Sequence, residues 1–197
     1  PDNSEVAMRS PSVNLITSRG CPGVCRFCSV HTVWGRKWRP MSPKKVLDQI
    51  EYLYKNYNVR HFRFNDDNMT LDKKRILEIC KGIMDRKLDI KWDTPSGVAM
   101  WTLDNEVISA MKKAGYYRIT LGIESGCKNT LKYIRKNIDL EKSKKLIQHC
   151  HEEGLWVASF FIIGFPNETK EDIMQTEKFI LNSGVNFPFI FLEQPYP

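Results

Sequence analysis

The chain has 197 residues, 42% hydrophobic and 27% charged, and its 30 Lys and Arg against 23 Asp and Glu give a formal net charge of +7. This is ordinary globular composition for one domain with a real core. It argues against a membrane-spanning chain: the longest apolar stretch, WVASFFIIGF, is about half the length a span needs. The polar start PDNSEVAMRSPS does not read as a signal peptide. The lysines, among them Lys44, Lys45, Lys112, Lys113, Lys144 and Lys145, read as solvated helix faces rather than as a nucleic-acid surface. Cys80, Cys127 and Cys150 fall in helical patterns or at a helix start, so the cysteines read as reduced thiols of a cytoplasmic protein. The chain begins at Pro1 and stops at Pro197, which reads as a core domain over 12–197 behind a flank over 1–11, cut from a longer protein.

Ser12 to Ser18 (SVNLITS) predicts the first strand, and SRGCPGVCRFCSV follows it. Cys21, Cys25 and Cys28 stand at spacings of four and three, and Pro22 and Gly23 argue for a loop rather than a helix. A structural zinc site needs a fourth ligand, and none of the four histidines sits in a paired ligand motif. Three thiolates suit three corners of a four-iron cluster whose last iron stays open for chemistry. Next, Arg36, Lys37 and Arg39 interleave with Trp34 and Trp38, as a substrate entrance or as a loop with inward tryptophans.

Ser42 and Pro43 start a helix as N-cap and N1, with an apolar stripe of Val46, Leu47, Ile50, Leu53 and Tyr54. His61 to Asn65 is a strand, Leu71 to Leu88 a helix, and Ile90 to Asp93 a strand. Thr102 is expected to cap a helix that stops at Gly115. Tyr117 to Ile123 is a strand, followed by helices over 127–135 and 140–153. Leu155 to Ile163 is a fully apolar strand, Thr169 opens a helix ending at Gly184, and Asn186 to Leu192 is the last strand. This alternation calls for an α/β fold with a parallel sheet and helices outside it. The pattern does not separate an open sheet from a curved barrel.

The motif C-x3-C-x2-C with Phe27 before the last cysteine resembles the cluster loop of the radical S-adenosylmethionine (SAM) enzymes. GIESG (122–126) and IIGFPNET (162–169) are similar to that family's motifs after its fourth and fifth strands. The resemblance spans roughly Val13 to Pro197 and implies a partial (β/α)6 TIM-like barrel. It also implies a [4Fe–4S] cluster on Cys21, Cys25 and Cys28, and reductive cleavage of SAM to a 5′-deoxyadenosyl radical. Chemistry in parallel barrels gathers at the carboxyl ends of the strands. The resemblance puts Phe27 near the adenine, Asp66, Asp67 and Asn68 at the SAM amine, and Glu124 and Ser96 on other polar parts of SAM. Ile163 and Gly164 would flank the adenine, and Glu168 and Thr169 would cap the next helix. Asn-Asp-Asp-Asn stands where the family has a Gly-Gly-Glu-like motif, so the residue that meets the amine stays open.

The Asp-Asp form resembles a subgroup with an upstream cobalamin-binding domain. That implies cobalamin as a further cofactor, carried on a domain outside this chain, and methyl transfer or a related reaction. A one-electron donor such as flavodoxin or ferredoxin is implied as partner, with the substrate unspecified. The alternatives are a transfer-RNA methylthiotransferase-like enzyme and a nucleic-acid-binding module with a structural metal. Cys127, after Gly126 at a strand end, is weighed as a radical or methyl acceptor against a plain helix-start cysteine, which is the reading preferred.

Overall fold

Short β-branched and aromatic runs separated by amphipathic helices give strands whose partners lie one crossover away in sequence. In the computed structural model, residues 11–194 are described. Residues 1–10 of the expected flank, and Pro195 and Tyr196 at the last strand's exit, lie outside them. The strands β1 (Ser12–Leu15), β2 (Ser18–Arg19), β3 (Arg39–Pro40), β4 (His61–Phe64), β5 (Lys91–Asp93), β6 (Tyr116–Glu124), β7 (Trp156–Ile163) and β8 (Phe187–Leu192) alternate with helices. Those helices are α1 (Val30–Val33), α2 (Pro43–Tyr57), α3 (Lys73–Asp85), α4 (Asn105–Lys113), α5 (Lys128–Tyr133), α6 (Leu140–Glu152) and α7 (Lys170–Ser183). Six strands form one sheet in the order β1-β4-β5-β6-β7-β8, every pair parallel. The sheet's two edges are β1 and β8, which is the order of an open, partial barrel. No helix among the described residues is long and apolar enough to cross a membrane.

Side chains alternate between the two faces of each strand. Phe62, Phe64, Trp92, Tyr116, Ile119, Leu121, Val157 and Phe161 are buried. They pack with stripes such as Val46, Leu47 and Ile50 of α2 and Ile76, Ile79 and Ile83 of α3 in one apolar core. Phe64 meets Trp92 edge-on at 5.4 Å between ring centroids, and Trp92 meets Tyr116 at 4.5 Å. The opposite face carries charge. Arg63 Nε lies 3.4 Å from Asp93 Oδ1, Arg118 donates to Asp93, and His61 Nε2 lies 3.0 Å from the Tyr117 hydroxyl.

The caps read from sequence hold at several ends. Ser42 Oγ accepts from the Lys45 amide at 3.3 Å, and Thr169 forms a reciprocal capping box with Asp172, while Glu168 turns back to the Gly164 and Phe165 amides instead of capping α7. Two further expectations change. The expected first strand breaks after Leu15, because Thr17 and Ser18 turn their hydroxyls to a buried carboxylate, and β2 then pairs antiparallel with β3. The helix expected to start at Thr102 is capped by Asp104, which accepts from the Val107 amide at 2.9 Å. Thr102 sits instead in a 3-10 turn, its hydroxyl donating to the Ala99 carbonyl at 2.7 Å.

Candidate active site

The carboxyl ends of the strands surround a cavity of about 520 Å³. Cys21, Cys25 and Cys28 line it from the loop after β2, all partly exposed and none in a disulfide. Asp67 and Asn68 line it after β4, Ser96 after β5, Gly122 and Glu124 at the end of β6, and Ile162 from β7. Phe27 lies on the same wall and packs on Phe165 at 6.1 Å, which joins the cysteine loop to the GFPNET turn. Thus Phe27, Asp67, Asn68, Ser96, Glu124 and the three cysteines, read separately along the chain, face one space.

Three of the named residues do not face it. The Asp66 carboxylate accepts from the Thr17 amide at 3.0 Å, the Thr17 hydroxyl at 2.8 Å and the Ser18 hydroxyl at 2.5 Å. It is buried against Thr17 and Ser18, which lead into the cysteine loop, and does not line the cavity. Ile163 is one residue past Ile162 and so points to the other side of β7. The Gly164 amide donates to Glu168 Oε2 at 2.6 Å, closing the turn on itself. Cys127 is buried at the start of α5 and donates its thiol to Asp172 Oδ1 at 2.9 Å, so the plain helix-start role describes it.

The Asn-Asp-Asp-Asn segment therefore braces the cysteine loop before it faces the cavity. Asp67 Oδ2 accepts from the Gly20 amide, the residue before Cys21, at 2.8 Å. Gly20 has φ +87, and a Cβ there would lie 2.4 Å from the Lys37 carbonyl oxygen, so only glycine fits. Arg75, buried on α3, reaches the Thr17 hydroxyl at 2.9 Å and the Met41 carbonyl at 2.9 Å. It occupies the same helical phase as Ile79 and Ile83, and a charge on an apolar stripe was the signal that could have identified it. Trp38 packs inward, its indole donating to the Asn68 carbonyl at 3.2 Å, while Arg36 and Arg39 bond loop carbonyls. Trp34 stays exposed at 36%, so of the two tryptophans Trp38 alone packs inward.

Lys136 was not legible in sequence. It is 8% exposed, lines the cavity and pairs with Glu124 at 2.9 Å. Glu124 holds φ +72 at the strand end, beside a register shift between Gly122 and Glu124. Such a shift re-aims a side chain, and backbone held in this region is characteristic of functional sites. A Cβ on Gly122 would stand 3.0 Å from both Glu124 Oε1 and Lys136 Nζ, so the glycine leaves room for the pair.

Three observations test whether the site suits a cluster and a polar adenosyl ligand. A Cβ on Gly23 would lie 3.3 Å from Cys21 Sγ and 3.9 Å from Cys25 Sγ, so two sulfurs flank a bare corner of backbone. Among the described residues no three His, Cys, Asp or Glu side chains close on a single ion; the thiols stand around the wall instead. Asn68 is 1% exposed, and its Nδ2 has no hydrogen-bond partner although the residue lines the cavity. A buried donor without a partner is costly and fits a ligand acceptor. As a free thiol Cys25 is pushed above the ordinary cysteine value by burial, with the Lys136 ammonium working the other way. The residues fit both groups.

A profile of the Radical SAM superfamily matches residues 15–180. The cytidylyl-2-hydroxyethylphosphonate methyltransferase of Streptomyces wedmorensis is 33% identical over 188 residues, covering 92% of this chain and 35% of that protein. Among solved structures, the radical SAM methyltransferase TsrM from Kitasatospora setae superposes with a TM-score of 0.82 at 17% identity, over 96% of this chain and 37% of that one. The cobalamin-dependent SAM radical enzyme OxsB superposes with a TM-score of 0.73 at 25% identity, over 89% of this chain and 27% of that one. The chain spans 39% and 35% of two curated relatives it matches. The sheet, the three-thiol loop, the shared cavity and the matched profile agree: this chain belongs to the radical SAM superfamily, whose members bind a [4Fe–4S] cluster and SAM.

Proposed function

We propose that residues 12–197 are the SAM-cleaving core of a larger enzyme, in which Cys21, Cys25 and Cys28 hold the cluster and SAM occupies the cavity. The observation that carries this reading is the meeting of three free thiols and the polar exits of β4, β5 and β6 in one space. When bound, the cluster supplies the electron that breaks a carbon–sulfur bond of SAM to give methionine and the 5′-deoxyadenosyl radical.

The chain's own residues bind and orient. Asp67 offers a carboxylate to the SAM amine, and Asn68 Nδ2 a donor to an acceptor of the ligand. Glu124 and Lys136 set an acid and a base side by side, able to receive ribose hydroxyls and a carboxylate. Ser96 adds a hydroxyl, and Phe27 an aromatic surface for the adenine. Val98, Phe160, Ile162 and Phe191 form apolar wall that keeps water from the reacting carbon.

The likeness to a methyltransferase and to a cobalamin-dependent enzyme supports methyl transfer assisted by cobalamin from a domain outside these residues. A flavodoxin or ferredoxin in a reducing compartment such as the cytoplasm would supply the electron. The test is anaerobic reconstitution with iron and sulfide, then dithionite and SAM, with 5′-deoxyadenosine as readout. Cys25→Ala is expected to lose the cluster absorbance and the product together. A cluster-loaded wild-type protein that gives no 5′-deoxyadenosine rules the reading out.

A further inference from the structure

Many exposed cations on the helices have acid partners. Lys44 pairs with Asp48 at 2.7 Å, Lys55 with Glu51 at 2.5 Å and Lys81 with Asp85 at 2.5 Å. Others, such as Lys45, Lys74, Lys145 and Lys178, have none among the described residues, and the segment after β6 gathers three of this kind around one groove. Lys128, Lys132 and Arg135 are exposed, and none of them forms an ion pair among the described residues within 4.0 Å. The field of Lys128 reaches Asp139, but that carboxylate already caps α6 by accepting from the Glu141 and Lys142 amides. The three cations border a groove of about 360 Å³ with Leu131 and Ile138 in its wall.

The position of this groove gives it meaning. Lys136 lines both the groove and the cavity, so the two share a wall one side chain thick. On the inner side the Lys136 ammonium pairs with Glu124 at 2.9 Å and lies 5.7 Å from the centre of the Phe27 ring, beside Cys28. The cysteine loop is fastened to the same turn: the Arg26 amide donates to the Ile134 carbonyl at 3.0 Å, and the Arg26 guanidinium lies over Tyr133 at 4.8 Å. A protein seated in the groove would stand behind the thiols, on the side away from the cavity space that SAM and substrate need.

We propose that this groove is the docking face for an acidic, one-electron carrier protein that reduces the cluster. The inference rests on the reading of the chain as a reductive SAM-cleaving core. The carrier loses one electron and the cluster gains it, with no bond made or broken in that step. Three exposed, unpaired cations around a shallow groove suit a broad acidic surface steered in by long-range attraction. A small anion would call for buried, convergent donors, which Lys128, Lys132 and Arg135 are not. A single-stranded nucleic acid would call for aromatic stacking platforms, and no aromatic residue lines the groove.

The experiment compares the wild-type 197-residue chain with the Lys128→Glu/Lys132→Glu double variant, both cluster-loaded under anaerobic conditions. The probe is a reduced bacterial flavodoxin. At low ionic strength the second-order rate of cluster bleaching is expected to fall on the order of tenfold or more in the variant. That gap should narrow as salt screens the charges. Calorimetric affinity for flavodoxin should weaken in parallel, while dithionite-driven formation of 5′-deoxyadenosine stays at the wild-type level. A variant that flavodoxin binds and reduces as fast as wild type overturns the proposal. So does a variant that loses affinity only for a single-stranded RNA probe, which would assign the face to nucleic acid. If dithionite yields no product from the wild type, the enzymatic reading has failed, and the calorimetric comparison still decides the docking face.

Discussion

Asp66 and Asp67 are neighbours in sequence with different positions in the structure. Asp67 borders the cavity, whereas Asp66 gathers three donors from Thr17 and Ser18 under the cysteine loop. Removing it would leave those buried donors and the guanidinium of Arg75 without their anion. Asp66→Ala is therefore expected to cost about 3 kcal/mol of stability, read from denaturant unfolding, and to lower iron loading on reconstitution. If Asp66 were instead a SAM ligand, the variant would keep its stability and iron and lose only SAM affinity. Reading the sequence alone cannot separate these roles, because both place an acid just past a strand. What differs is which way the backbone turns at Thr17, and that depends on a partner 49 residues away. Lys136 shows the same limit. Its spacing from neighbouring cations suggests one more solvated charge, yet it is buried and paired with Glu124 at the bulged end of β6.

At the scale of elements, the alternation of strands and helices was readable because the long helices α2, α3, α4, α6 and α7 each carry an apolar stripe and a side-chain cap. The misplaced boundaries fall where a polar side chain bonds out of phase with the pattern. Thr102 fits a cap by identity, but Asp104 holds the amide of Val107 and starts α4 two residues later. The end of that helix was set correctly by Gly115. Its φ is +95, and a Cβ there would stand 2.1 Å from the Ile90 carbonyl oxygen. Gly115→Ala thus forces both strained backbone and a backbone clash where α4 hands over to β6. The expected cost is at least about 2 kcal/mol, seen as a Tm lower by roughly 4–8 °C in a domain of this size. A variant melting with the wild type would show that β5 can shift to make room.

Over the whole molecule, the sheet divides an apolar outer layer from a charged inner face near the start of its strands. His61 is 2% exposed there, and burial holds its pKa below the ordinary 6.5, with Asp93 opposing and Arg63 and Arg118 reinforcing the shift. As pH falls through 6.5 the unfolded chain takes up a proton that native His61 refuses. The unfolded state then binds more protons, and stability drops as the medium becomes more acid. Thermal melts between about pH 7 and about pH 5.5 should show a fall that is smaller in His61→Gln, a change that keeps a partner for the Tyr117 hydroxyl. Equal slopes in the two proteins would place the titration elsewhere. Neither this inner layer nor the choice between open sheet and closed barrel was visible in the residue pattern, since both depend on how far the strands curl.

That β1 and β8 remain separate edges has a chemical consequence. The thiols are anchored by the strand segment after one margin, while Phe187, Phe189 and Phe191 stand about half exposed on the other, at 45%, 45% and 49%. The three-thiol loop and the aromatic strand β8 thus belong to opposite margins of the same curved layer. If the thiols hold the cluster as proposed, substitutions along the aromatic margin, where Phe191 lines the cavity, can change what that space admits without touching them.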